Sequence, residues 1–116
     1  MAKFKFVEWL IFWLTETVRF DFEWDSGNRT KSVSKHAVTT AEVEEVFLLG
    51  QSVPLGIQIA PGVPEERLGI IGATASGRVL HIVFTLRDGR VRPISARAAK
   101  KKERTIYEAY LREISE

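Results

Sequence analysis

A chain of 116 residues fits one domain, large enough to bury a single hydrophobic core without covalent staples. It contains no cysteine, which excludes disulfides and thiolate metal sites and fits the reducing cytoplasm; at 45% apolar and 28% charged residues the composition is that of a soluble globular protein. The net charge is only +2, yet from Arg87 to Arg104 eight positive residues stand against Asp88 and Glu103. This local +6 leaves the rest of the chain acidic and predicts one strongly electropositive face.

Phe4 to Leu14 is nearly continuous apolar sequence. It supplies about half of the roughly 20 residues that a membrane-spanning helix needs, and it holds Lys5 and Glu8, so no membrane role is expected. Thr15-Glu16-Thr17 offers no small-residue cleavage site for a signal peptide. The spacing predicts a helix from about Val7 to Thr17, with Val7, Leu10, Ile11 and Leu14 on one stripe and Trp9, Phe12 and Trp13 largely on another. A helix apolar on two sides needs two covers: the domain core, and a second surface such as a homodimer or partner contact. A buried strand fits so short a run as well.

Phe20 to Trp24 alternates apolar and acidic residues, the pattern of a half-buried strand, and Asp25 to Asn28 breaks it. A polar helix from about Asn28 to Lys35 has Val33 as its main apolar anchor. Thr39-x-x-Glu42 reads as a capping box ahead of Val43, Val46 and Phe47, with Gly50 closing that helix. Val53 to Ala60 contains Pro54 and Gly56 and is expected as an edge or bulged strand, followed by a loop at 61–64. Arg67 to Thr74 is a further strand.

Val79 to Leu86 is the clearest strand, with Leu80, Ile82 and Phe84 on one face and Val79, His81, Val83 and Thr85 on the other. Asp88-Gly89 is a strong hairpin turn that pairs it with Arg90 to Ser95. Arg90 and Arg92 then project from one side as the expected floor of a phosphate site. Ser95 is a competent N-cap for a last helix running to about Ile114, which places Arg97 in a first turn whose free N–H groups favour an anion. Ile106, Tyr107, Tyr110, Leu111 and Ile114 form its apolar stripe.

A guanidinium fork meets a phosphate with two parallel hydrogen bonds, so nucleic acid is the first partner to test. RNA cleavage by attack of the 2′-hydroxyl needs a base, an acid and cations around the phosphorane, and no metal or other cofactor. The sequence offers no carboxylate or histidine cluster at ligand spacing, so a metal nuclease is not expected. Candidates for proton transfer are His36, Glu66 and Tyr107. Candidates for the phosphate are Lys35, Arg67, Arg78, Arg90, Arg92, Arg97, Lys100, Lys101 and Arg104, with Arg92 and Arg97 leading. The plain alternatives are a solvated His36, a packed mid-strand His81, a cross-strand Glu66–Arg67 ion pair and a solvated helix face at Lys100 to Lys102.

Taken in order, several pieces resemble the BrnT toxin family over about Phe20 to Tyr110. They are FEWD at Phe22 to Asp25, Lys35-His36-x-Val38, Thr39-x-x-Glu42 with Val46-Phe47, Glu66-Arg67, Gly77-Arg78-x-Leu80, and Arg92-x-Ile94-Ser95-Ala96-Arg97 followed by Glu103-Arg104 and Tyr107. The resemblance implies a RelE-like α+β fold and an antiparallel sheet carrying N-terminal helices and a C-terminal helix. It implies an endoribonuclease that inhibits translation and is neutralised by a DNA-binding, BrnA-like ribbon-helix-helix antitoxin. It favours His36, Glu66, Arg92 and Arg97 as the catalytic set. The chain departs from the family at Ala37, where a glycine is usual, and at Pro93, which confines its strand to an edge or a bulge. Residues 1–19 lie outside the resemblance as an apolar extension to a domain at 20–116, available as a dimer surface or as a cover on an antitoxin groove. A binding module that kept the fold without the reaction, and a homo-oligomer held by Trp9, Phe12 and Trp13, are the other readings.

Overall fold

The computed structural model describes residues 2–114, and for residues 32–34 the backbone alone. In chain order the elements are β1 (Lys3–Lys5), α1 (Glu8–Glu16), α2 (Ser26–His36), α3 (Thr40–Leu48), β2 (Val53–Ala60), β3 (Leu68–Ala73), β4 (Val79–Arg87), β5 (Arg90–Ala98) and α4 (Lys101–Ile114). The five strands form one antiparallel sheet in the order β1-β2-β3-β4-β5, so every strand pairs with its neighbour in sequence. Among the described residues no helix is long and apolar enough to cross a membrane.

Asp88 and Gly89 both adopt positive φ, 53° and 76°, the conformation a two-residue hairpin loop needs to match strand twist. From this turn Arg87 pairs with Arg90, and the ladder runs regularly to Phe84 and Pro93. There the register slips by one: Val83 pairs with Ser95, Ile82 with Ala96 and His81 with Arg97. Side chains alternate faces along a strand, so the extra residue beside Pro93 changes which face Ser95 and Arg97 share. A straight ladder would set Arg97 opposite Leu80, in the core. The bulge sets it opposite His81, on the other face.

This pairing carries β5 beyond the expected end at Ser95. Ser95 is a ladder residue rather than an N-cap, and Arg97 lies in the strand rather than in the helix's first turn. The helix starts at Lys101, where Glu103 Oε1 accepts from the Lys100 amide at 2.8 Å. The other predicted cap forms as expected: Thr39 and Glu42 make a reciprocal capping box on α3.

One face of the sheet, with Leu68, Ile70, Leu80, Ile82 and Phe84, packs against Leu10 of α1 and Val43, Val46 and Phe47 of α3. The opposite face is covered in part by α4, whose Tyr107 packs with Val53, Ile71 and Ala99. The N-terminal helix matches its expected bounds and buries Leu10 completely. Trp13 turns inward, stacked on Phe84 at 5.8 Å and edge-on to Phe20 at 5.3 Å. It therefore leaves the outer stripe expected for a dimer contact, where Trp9 and Phe12 remain 41% and 49% exposed.

One further expectation changes. Phe20 to Trp24 forms no strand of its own but one parallel bridge, Phe22 to Val91, flanked by hydrogen bonds from Glu23 N to Val91 O and from Val91 N to Asp21 O, each 2.7 Å. Of the two forms expected for β2, edge or bulged, the structure has the second: it is bulged between Pro54 and Gly56, and β1 pairs along its outer side. The polar helix α2 starts slightly earlier than predicted, since Asp25 and Asn28 cap it reciprocally through their side chains. Its expected anchor, Val33, lies outside the described side chains.

Candidate functional site

Because α4 covers only part of its sheet face, the remainder opens to solvent as a cleft of about 300 Å³. Gln58 of β2, His81 and Val83 of β4, and Ser95 and Arg97 of β5 line it, with Arg67 entering from the start of β3 and Lys100 from the start of α4. Three cations from three separate parts of the chain thus surround one imidazole. A second, more apolar hollow of about 530 Å³ adjoins it, and the two share Ala2, His81 and Arg97.

Arg97 is fixed by a bidentate pair with Glu103, Nη1 to Oε1 and Nη2 to Oε2, both 2.8 Å, and Nη1 also donates to the Ala98 carbonyl at 3.2 Å. These bonds use three of the five guanidinium donors. Burial opposes charge on Glu103, but hydrogen bonds from Arg97 and the Lys100 amide, with the adjoining His81 and Arg97, bring its carboxyl down to about 2. His81 is 5% exposed, its Nε2 lies 3.7 Å from Glu103 Oε2, and its ring meets Phe4 edge-on at 5.7 Å. Burial first, and then the Arg97 charge, push the imidazole below its usual 6.5 despite Glu103. It is therefore neutral at pH 7 and able to take a proton. The Arg67 Nε is buried without a hydrogen-bond partner among the described residues, and the nearest carboxylate, Glu65, is 3.8 Å away.

Of the residues singled out in the sequence, the cleft brings together Arg67, Arg97 and Lys100. It does not include the others. Arg92 pairs with Thr85, four ladder positions from the His81–Arg97 pair, or roughly 13 Å at the usual strand rise. Its Nη2 lies 2.8 Å from Asp25 Oδ2 and its Nη1 3.8 Å from Glu23. The Asn28 amide, and then Arg92, hold the Asp25 carboxyl below its ordinary value. The expected cradle of Arg92 and Arg97 is therefore divided: each guanidinium meets its own carboxylate at a different place on β5. Arg90 reaches the Phe22 carbonyl at 3.5 Å.

Arg78 closes the end of α2, donating to the Ala37 and His36 carbonyls at 2.9 and 3.2 Å and pairing with Glu42 at 3.3 Å. Lys35 and His36 sit exposed at that helix end. The Glu66 side chain is exposed too, and its carbonyl accepts from Thr85 Oγ1 at 2.8 Å. Lys101 is exposed on α4, and Arg104 donates to the Ala99 carbonyl at 2.9 Å. Tyr107 is buried under α4, where burial raises its pKa. His81, Ser95 and Glu103 were given plain roles on sequence, as a packed residue, a cap and a lone acid in a basic run. The signal that finds His81 and Ser95 on the cleft face is the register slip beside Pro93: the proline allows a bulge there, and only the ladder shows that one forms.

The family model described as ribonuclease toxin, BrnT, of type II toxin-antitoxin systems matches residues 24–103. The crystal structure of the Brucella abortus ribonuclease toxin BrnT superposes with a TM-score of 0.52 at 20% identity, over 72% of this chain and 100% of that one. That likeness is one of fold. No curated protein matches the chain.

Proposed function

The chain belongs to the BrnT family of ribonuclease toxins of type II toxin-antitoxin systems, and from that premise we propose that it is a metal-independent endoribonuclease which inhibits translation by cutting RNA in the Arg67–His81–Arg97–Lys100 cleft. The observation that carries this reading is the convergence of three cations from β3, β5 and the start of α4 on a neutral imidazole. In the proposed step His81 takes the 2′-hydroxyl proton, and the 2′-oxygen attacks phosphorus to form a 2′,3′-cyclic phosphate. The 5′-oxygen leaves with a proton from water in the open cleft. Arg67, Arg97 and Lys100 hold the charge that grows on the phosphorane oxygens. Three cations, with the neighbouring carboxylate of Glu103 already bound to Arg97, disfavour a divalent ion there. The proposed protein partner is a ribbon-helix-helix antitoxin of the BrnA kind.

One observation favours a second reading, RNA binding without cleavage: His81 is 5% exposed, with Phe4 against its ring. Incubating the purified protein with RNA in EDTA separates the two. Cleavage that disappears in Arg97→Ala, together with growth arrest relieved by the same substitution, supports the nuclease. Intact RNA retained in a salt-sensitive complex supports the binding module.

A further inference from the structure

The cleft's neighbour contains groups that no phosphate needs. Phe4, Leu55, Ile59 and Ile106 line the second hollow, with Lys3 and Lys102 also at its wall and Arg97 and His81 on the side shared with the cleft. Ile59 and Ile106 are 58% and 42% exposed. Exposed apolar groups beside an electropositive cleft suit a planar, uncharged ring attached to a phosphate, because such a ring gains from leaving water while its phosphate remains paired.

The strand that supplies Phe4 is built into the sheet. Gly56 has φ +119°, and a Cβ there would lie 1.9 Å from the Lys5 carbonyl oxygen; a Cβ on Gly69 would lie 2.6 Å from the Phe4 ring. Two glycines on two strands therefore leave the room that β1 and its aromatic side chain occupy. Both β1 and α1 precede the residues matched by the family.

We propose that this hollow is a nucleobase subsite: β1 presents Phe4 to the base of a nucleotide adjoining the phosphate held by Arg67, Arg97 and Lys100, and Ile59 and Ile106 complete the apolar lining. The inference rests on the phosphate cleft proposed above, and it adds which part of the RNA is read beside it. The apolar walls carry no hydrogen-bonding code, so the subsite takes a base by stacking and contact, with little discrimination by base identity.

The test uses the full-length protein and two fluorescent probes, a single-stranded RNA octamer and an abasic ribose–phosphate octamer of the same charge. The native protein is expected to bind the RNA about tenfold more tightly than the abasic probe. Phe4→Ala should erase that difference, and so should Ile106→Ser, an exposed position chosen because it leaves the Phe4 packing on Gly69 untouched. Arg97→Ala should weaken both probes. Equal binding of the two probes by the native protein overturns the subsite and leaves the phosphate cleft standing. No binding of either probe overturns both. If Ile106→Ser leaves the RNA preference intact and instead prevents association with the antitoxin, the hollow is a protein-docking surface and the proposal is wrong.

Discussion

At the scale of single residues, the Arg97–Glu103–His81 group is the feature with the most chemical consequence. Glu103 does two things at once: it aims Arg97 and it caps α4 through the Lys100 amide. Its carboxyl, ordinarily at 4.5, sits at about 2 in the folded protein. Folding therefore releases protons as the pH falls. The stabilisation is complete above pH 4.5 and is lost as pH drops from 4.5 toward 2. The full shift corresponds to roughly 3 kcal/mol, and solvent screening of a partly exposed pair reduces this to about 1–2 kcal/mol. Urea unfolding of Glu103→Gln should show that deficit at pH 7 and a narrowing gap from the native protein below pH 4.5; a gap that is constant with pH would contradict it. His81 titrates below 6.5, so the cleavage rate should fall on an acidic limb below that pH. The limb should be absent from whatever activity remains in His81→Asn, measured as a pH profile.

At the scale of elements, the capping box, the Asp88-Gly89 turn and the strands β2 to β4 were legible, because each is a local signal of a few residues, whereas the alternation at Phe20 to Trp24 yields only a single bridge. The motif pieces were legible as a set, but their roles were not. Asp25 of FEWD meets Arg92, Glu42 of the capping box meets Arg78, and Arg97 meets Glu103. These pairs, made within the one chain, tie residues at α2, α3 and α4 to the sheet, and sequence order alone cannot tell a paired arginine from one aimed at a ligand. Pro93 confines its strand to an edge or a bulge on sequence, and β5 is both the last strand of the sheet and the carrier of a bulge. Its consequence, moving Arg97 onto the face of His81, depends on counting the ladder from the turn. Deleting Ile94, the unpaired residue of the bulge, should straighten the strand while leaving Arg97 opposite His81, so cleavage should be retained in a folded protein. Cleavage lost in that deletion with the fold intact would show that the pairing with His81 is not what places Arg97. The strand β1 was missed because its three residues run into an apolar helix without a break. Gly56→Ala should cost about 2 kcal/mol or more, since both its φ and the Lys5 carbonyl forbid a side chain. A urea midpoint unchanged from that of the native protein would mean that β1 is not held against β2.

For the molecule as a whole, the basic segment from Arg87 to Arg104 predicted a charged face more uniform than the one that forms. Arg87 faces Glu23 and Glu65, and Arg92 faces Asp25, so acidic residues from earlier in the chain fold back over part of the basic segment. What remains for RNA is a cleft with three cations. Binding of single-stranded RNA should then fall with salt at a shallow slope of about −0.7 in log–log form, the value for the one phosphate that the cleft holds. A slope steeper than about −4, read from a fluorescence titration across salt concentrations, would mean that the wider basic surface is the binding site. The most direct measurement is the rate of RNA cleavage in EDTA by the native protein and by Arg67→Ala, Arg97→Ala and Arg92→Ala. The account predicts loss of cleavage in the first two substitutions, with cleavage retained in Arg92→Ala. Cleavage lost in Arg92→Ala but intact in Arg67→Ala and Arg97→Ala would place the chemistry at the far end of β5 and contradict it.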